Sequence, residues 1–501
     1  MEYLSLSETI RDKIHGAIKL SKVELEIIDH PLFQRLHSIK QNGLLYLVFP
    51  SSTHTRFEHS IGVLDIADSI YRSLIRNAYV ASEKMTPAVA DKDEADHGTA
   101  VTFNETDKSL LADSLRIARY AALVHDIGHG PFSHHFDAFA PRRKQIGQNV
   151  QNNDIQSFVK TITSGRDGRI EHEEVSCIMF KKIWDDIEDK EYVNDQDNYK
   201  KEEVPFLVAA AVLSRPELIG VDHPLYEFMP LLNDMVASAP ADADRMDYLE
   251  RDSRSAGVTY GLYDRERLLK SFLVYRDRDE SSEADILRLG IKRSGLRAVE
   301  NFVQARFELF VQVYYHKTNR AIQLMLESVA KIAQDGGVSV LDIFSDNKTV
   351  FEVYKNLTDE NFLEVISGRN ESMKLPQFDG LDKMNRIANN IFERKLWKRI
   401  YESDPETIQS IFKNLTEEYD NIAIDEKDPK ATKDLEDGAD LLIRTDSDRY
   451  EAVGHTNWLE ASSIIKALSD DENGITRIYF RGTDSDTQKD LRKTARSLAL
   501  N

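Results

Sequence analysis

One cysteine, Cys177, stands in 501 residues, so no intrachain disulfide framework can exist and a reducing cytoplasm is the expected setting. Long apolar runs are missing as well. The longest, such as Phe206 to Leu213, fall far short of the ~20 residues a membrane-crossing helix needs. Met1 to Ser5 lacks a basic start leading into an apolar core, so no secretory signal is read there. Positive charge is in deficit: 65 Lys and Arg face 86 Asp and Glu, a formal charge of −21. Broad binding to nucleic acid, which depends on neutralising phosphates, is therefore not expected. A small anionic ligand stays compatible, because a few arginines can reverse the potential inside one pocket. Three enzyme signatures are also absent. The nearest approach to a zinc-peptidase His-Glu-x-x-His is His172-Glu173-Glu174-Val175-Ser176, with serine in the second histidine's place. No Gly-x-x-x-x-Gly-Lys-Ser/Thr phosphate loop and no Gly-x-Ser-x-Gly elbow occurs.

What is present is mainly helical. Hydrophobic residues at 41% and charged residues at 30% suit a globular chain, and the length suits two or more domains. After His59, Val63, Ala67, Ile70 and Leu74 recur at helical spacing and form one apolar stripe. Leu115, Ala118 and Ala122 do the same, and His125 and His129 continue that face, with glycine and proline ending the helix near Gly128 to Pro131. A third long helix is read from about Gly295 through Val303, Phe307, Phe310 and Tyr314 towards Met325. Polar insertions are expected at 81–113 and, partly mobile, at 142–169; residues 421–440 read as an acidic linker. Beyond it, Leu441 to Ile443 and Thr476 to Phe480 resemble strands and Trp458 to Leu468 a helix. The expected organisation is a core over 1–330, a helical extension over 331–420, the linker, and a small α/β region over 441–501.

The densest polar cluster runs from His125-Asp126-Ile127-Gly128-His129 to His134-His135-Phe136-Asp137. Imidazole with carboxylate suits Mn, Fe, Zn, Ni or, less ideally, Mg. Adjacent helical residues point about 100° apart, so His125 and Asp126 can share an ion only at the helix edge. More ligands must come from elsewhere: His59 lies upstream, and Asp242, Asp244 and Asp247 lie downstream. Taken singly, each has an ordinary structural explanation, as a packed core histidine or a helix-capping aspartate. The combination is what points to a metal centre.

The order of His59, His125-Asp126 and Asp244 resembles the H…HD…D signature of the HD superfamily. The chain is similar, more narrowly, to the HD-domain deoxynucleoside triphosphate (dNTP) triphosphohydrolases, including the HD core of the animal enzyme with an added SAM domain. The likeness is carried by Asp12-Lys13-Ile14-His15-Gly16, Phe33-Gln34-Arg35-Leu36-His37, His54-Thr55-Arg56-Phe57-Glu58-His59, His125 to His134, and Asp244-Arg245-Met246-Asp247-Tyr248. It covers the core from Asp12 to about Lys317, and no SAM domain is read before it. The HD signature says little about substrate; the whole ordered set is specific to this branch.

The resemblance implies an HD-domain helical fold and metal-dependent hydrolysis of dNTPs to deoxynucleoside and inorganic triphosphate, by water attack at the α-phosphorus. One divalent ion per site is implied, held by His59, His125, Asp126 and Asp244. His172 matches the family's catalytic histidine, with His129 and Asp137 as its polar neighbours. Arg56, His134, Arg245, Arg306 and Lys317 match phosphate-contacting positions. Tyr248 and Tyr314 match residues packing on sugar and base, and Gln41 the residue facing the 3′-hydroxyl. A tyrosine beneath C2′ leaves no room for a 2′-hydroxyl. An activating nucleotide and a homo-oligomer, dimer or tetramer, are implied partners. The activator segment keeps Asp29 and Gln34 but has His37 in place of arginine, and Glu8 in place of a basic residue, so activation is expected to be altered. Two alternatives remain: an HD phosphohydrolase for another nucleotide (monophosphate, cyclic or modified), and a nucleotide sensor with a structural metal.

Overall fold

The structure is a computed structural model that describes residues 4–84, 99–101, 103, 107–150, 152–187, 198–238, 241–278, 282, 284–343, 349–426, 441–444, 450–453, 462–468 and 476–499. Helix dominates these residues and the sheets are small, so the chain is mainly α with small strand regions. No helix among them is long and apolar enough to cross a membrane. An antiparallel hairpin opens the fold, β1 (Glu8–Asp12) with β2 (Gly16–Leu20), closed where Gly16 takes a left-handed φ of 78°.

Four helices carry most of the polar side chains discussed below: α1 (Arg56–Lys84), α2 (Lys108–Val124), α3 (His172–Asp186) and α4 (Ala243–Ala256). The stripe Val63, Ala67, Ile70 and Leu74 of α1 is at most 1% exposed, and α1 packs against both α2 and α4. On α2, Leu115, Ala118 and Ala122 are fully buried. That helix ends at Val124, one turn earlier than the glycines suggest, so His125 and Asp126 stand at its very edge. The chain then passes close under α3: a Cβ on Gly128 would lie 2.1 Å from the His172 carbonyl oxygen.

Several expectations change. The long third helix is two, α5 (Leu296–Leu309) and α6 (Lys317–Asp335). Between them a π turn covers Phe310–Tyr314, where Tyr315 N–H donates to the Phe310 carbonyl (2.8 Å), and His316 then turns extended to cap α6. Residues 142–169, read as a partly mobile insertion, contain the helices Arg143–Gln148 and Asn153–Ile162. The second of these buries Ile155, Phe158, Val159 and Ile162 beneath an Asn152 cap. Within 81–113, α1 extends to Lys84, β3 (Thr99–Ala100) joins a sheet edge, and α2 begins at Lys108; residues 85–98 lie outside the described residues.

The C-terminal strands divide between two sheets. β4 (Phe272–Arg278) and β5 (Asp285–Lys292) form an antiparallel hairpin flanked by β3. β8 (Leu441–Arg444) joins β5 in parallel and pairs with β9 (Tyr450–Val453). A separate three-stranded sheet is ordered β6 (Lys398–Ser403), β10 (Thr476–Phe480), β7 (Ile422–Asp425). The helices Pro405–Thr416 and Ser485–Leu498 pack on it around Ile408, Ile411, Leu415, Ile478 and Leu491, its own small core. The small α/β unit thus begins near Lys398 rather than at 441. Most of the expected linker, 427–440, lies outside the described residues, as do 454–461 at the start of the expected helix.

Candidate metal centre

Four side chains from three elements converge on one point. His59 comes from the first turn of α1, His125 and Asp126 from the edge of α2, and Asp244 from the first turn of α4, which Asp242 caps by accepting from Arg245 N–H (2.7 Å). His59 Nε2 lies 3.0 Å from an Asp244 oxygen and 3.6 Å from one of Asp126; His125 Nε2 lies 3.5 Å from Asp126 and 3.9 Å from Asp244. All four are at the bottom of the fold's interior, His59 wholly buried and the Asp244 side chain 29% exposed.

Whether these residues suit a cation can be judged from their free lone pairs. Nδ1 of His59 is held by Asp247 (2.8 Å), and Nδ1 of His125 faces the Ala122 carbonyl (2.8 Å). A donor at Nδ1 leaves the Nε2 lone pair open, the arrangement that orients imidazole ligands on a metal. Both Nε2 atoms are buried without a hydrogen-bond partner, although carboxylates stand close by. Two such nitrogens and two carboxylates form a fitting donor set for a divalent cation.

The charges point the same way. Burial alone would lower the His59 pKa, but Asp244 and Asp247 raise it to about 10, so without a cation this cluster draws in a proton instead. Burial would raise the Asp126 pKa; Arg56 above all, with His125 and His129, holds it well below the usual carboxylate range. Asp247 is similarly held down against its burial by Arg251, His15 and His59. Arg251 forks onto both Asp247 oxygens (2.8 and 2.9 Å) and reaches Asp12 (2.9 Å), while His15 Nε2 meets Asp247 Oδ1, the oxygen turned away from His59, at 2.6 Å. Gly62, one turn after His59, makes this approach feasible: a Cβ there would fall 2.1 Å from Asp247 Oδ1.

A cavity of about 460 Å³ opens over the cluster. Arg56, His125, Asp126, His129, His172 and Asp244 line its polar side, and Gln41, Tyr248 and Tyr314 other parts of its wall. Arg56 donates to Asp126 and, through Nη2, to Ser133 Oγ (2.7 Å). The His129 and His172 rings stack at 3.7 Å, His129 Nε2 lies 3.3 Å from Asp126, and His172 Nδ1 lies 3.3 Å from Glu173. Tyr314 donates its hydroxyl to Asp252, whose other oxygen is 2.6 Å from His54 Nε2.

The remaining expected residues lie elsewhere. Arg245 is paired with Asp242, Arg306 lies 4.9 Å over the Phe310 ring and 3.3 Å from the Tyr248 hydroxyl, and Lys317 is exposed at the start of α6. None of the three lines the cavity. Asp137 is exposed on the 3-10 turn Ser133–Phe139; the His134 side chain lies outside what is described. Of the activator segment, Asp29 is exposed, Gln34 donates to the Ile28 carbonyl (2.8 Å), and His37 stacks on Phe57 at 3.6 Å.

Two residues named among the motifs without a role of their own also matter here. Asp247 lies one helical turn beyond Asp244, a spacing that could have marked it as the partner of His59. Arg35, buried, holds the Ile127 and His129 carbonyls and so fixes the loop after α2; burial pushes its pKa down to about 10.

No family model matches the chain. It is 29% identical over 386 residues to an uncharacterized protein of Methanocaldococcus jannaschii, covering 77% of this chain and 63% of that protein. A protein of Acanthamoeba polyphaga mimivirus named for an HD domain is 27% identical over 78% of this chain and 72% of its own length. The deoxynucleoside triphosphate triphosphohydrolase SAMHD1 of Gallus gallus is 27% identical over 86% of this chain, which spans 62% of that enzyme. Among solved structures, a hypothetical protein from Aquifex aeolicus shares the fold, with a TM-score of 0.62 and 24% identity over 97% of this chain and 99% of that one. The resemblance carried by the ordered motifs agrees with these comparisons: over most of its length the chain is similar to deoxynucleoside triphosphate triphosphohydrolases and to a protein named for an HD domain.

Proposed function

We propose that the protein is a divalent-metal-dependent hydrolase of deoxynucleoside triphosphates that releases deoxynucleoside and inorganic triphosphate. The observation that carries this reading is the convergence of His125, Asp126 and Asp244, with Arg56, on the lining of one cavity whose wall also holds Tyr248 and Tyr314, with His59 buried against them. His59, His125, Asp126 and Asp244 would hold the ion; when bound, it supplies charge stabilisation at a phosphoryl oxygen and makes a nearby water more acidic. Arg56 offers a planar fork to phosphate oxygens, with one nitrogen already shared with Ser133. His172, steadied by the His129 ring and Glu173, is the group placed to give the 5′-oxygen its proton as it leaves. Tyr248 and Tyr314 offer ring faces to sugar and base, and Gln41 an amide whose Oε1 is buried without a partner.

One observation favours a second reading. Among the described side chains of the expected phosphate set, Arg56 alone lines the cavity, which suits a nucleotide carrying fewer phosphates. Incubation with each dNTP and Mn²⁺ or Mg²⁺, followed by chromatography, separates the two. Deoxynucleoside plus triphosphate is the expected outcome. Pyrophosphate or monophosphate products rule out attack at the α-phosphorus with the 5′-oxygen leaving. Inertness towards dNTPs with turnover of a monophosphate transfers the site to the second reading. Pairs of nucleotides test the activator that the His37 and Glu8 replacements put in question.

A further inference from the structure

We propose that Asp359 is a positioning residue for this site: its carboxylate ties together the two backbone segments that wall the cavity, and through Ser133 it sets Arg56. This rests on the cavity being the substrate site. Asp359 opens the helix Asp359–Ile366, outside the expected core, and is 4% exposed. An acid at such a position usually caps its own helix, but Thr358 does that here, accepting from Asn361 N–H (3.2 Å). The Asp359 carboxylate points elsewhere. Oδ2 accepts from Lys40 N–H (2.8 Å) and Oδ1 from Phe132 N–H (3.0 Å). Lys40 leads into Gln41 to Leu45, one stretch of the cavity wall; Phe132 and Ser133 form a second stretch beside it, a Gly43 Cβ falling 3.6 Å from Phe132 Cα.

The second stretch needs holding. Phe132 and Ser133 are consecutive non-glycine residues at φ 59° and 58°, a left-handed pair that is strained for side-chain-bearing residues and persists only when its surroundings enforce it. The helix of Asp359 supplies an apolar grip too. Phe362, one turn on, meets Phe136 and Phe139 edge-on at 5.3 and 5.0 Å and Phe132 at 6.1 Å. From Ser133 the hold passes to Arg56 Nη2 (2.7 Å), and the other end of that guanidinium reaches Asp126. Burial raises the Asp359 pKa, opposed by its two amide bonds; a carboxylate kept in such a place serves those amides rather than a cation.

Asp359→Asn tests this, because an amide has one acceptor oxygen and turns an NH₂ towards the other N–H. Hydrogen exchange followed by mass spectrometry is expected to show faster exchange in peptides spanning 39–46 and 129–136, with 204–212 unchanged. In the dNTP assay with Mn²⁺, kcat/KM is expected to fall about 10- to 100-fold, with KM raised, as for a misplacement of around an ångström. Combined with Ser133→Ala, Asp359→Asn should add little, since both act on Arg56 along one path. Glu360→Gln, exposed and one residue on, should match the wild type throughout. Unchanged exchange in both peptides overturns the proposal whatever the activity. So do kcat and KM within twofold of wild type, strictly additive effects with Ser133→Ala, or a Glu360→Gln protein that behaves like Asp359→Asn. If Asp359→Asn does not fold, Phe362→Leu carries the same expectations and the same overturning results. A wild type inert to every dNTP, with exchange still faster in Asp359→Asn, removes the proposed function and leaves the tie between the two stretches standing.

Discussion

The two halves of the cavity are built differently. On the metal side, three of the four proposed ligands are held by a neighbour: Asp247 orients His59, Ala122 orients His125, Arg56 meets Asp126, and Arg251 with His15 and Asp12 holds Asp247 in turn. On the proposed phosphate side, Arg56 faces the cavity, while Arg245 is engaged with Asp242 and Arg306 lies along Phe310 and Tyr248. A donor set of this kind must be prearranged, because a cation rewards ligands already in place and released from water. Long cationic side chains can rotate towards an anion on its arrival at the cost of a few rotamers. The contrast teaches that the metal half is fixed by the fold, whereas the phosphate half is completed by its ligand.

Mutation can break that contrast or make it sharper. Asp126→Ala, at the centre of the metal half, should lower kcat by about 1,000-fold or more, the equivalent of several kcal/mol of charge stabilisation, in a chromatographic dNTP assay. Retained turnover there would end the metal assignment. Arg56→Ala should cost about 100-fold in kcat/KM. Asp247→Asn touches no substrate, yet should weaken Mn²⁺ binding by about 10- to 100-fold in calorimetric titration. Proton competition gives a smaller effect. With the His59 pKa raised to about 10, the ion-free imidazole is protonated at pH 7 and must lose that proton to bind. Mn²⁺ affinity should therefore rise with pH and fall by about tenfold for each unit of acidification near neutrality. Arg245→Ala and Arg306→Ala should change kcat/KM least, by roughly tenfold or less, with the change in KM. Were either to match Arg56→Ala, the phosphate half would be as prearranged as the metal half.

How far this was legible in the sequence depends on the range of the contacts. The stripes of α1 and α2 and the pair His125-Asp126 are local patterns, and the structure places them as helical spacing dictates. His59 and Asp244, far apart in sequence, become legible only through the order of the family's motifs. The break at Tyr315 and His316 is invisible to periodicity, since the apolar pattern runs on through the π turn. The division of the C-terminal strands between two sheets escapes it also: strands of four to six residues are settled by partners far away in sequence. Asp359 reads as a helix-starting acid until its distant amide partners are seen.

One of those strands has a consequence for how the protein is made. β10 is the C-terminal-most described strand and yet lies in the middle of its sheet, with β6 and β7 on either side. During synthesis, β6 and β7 have no mate until residue 480 has left the ribosome. The same strand reaches the break beyond Tyr314: Arg477 donates to the Tyr315 carbonyl (2.9 Å) and Tyr479 to that of Lys317 (2.8 Å). The stretch beyond a cavity tyrosine therefore gains these two bonds only after residue 480 has been translated, so a ribosome that stalls short of β10 releases a product whose ligand cluster can be in place while they are still unmade.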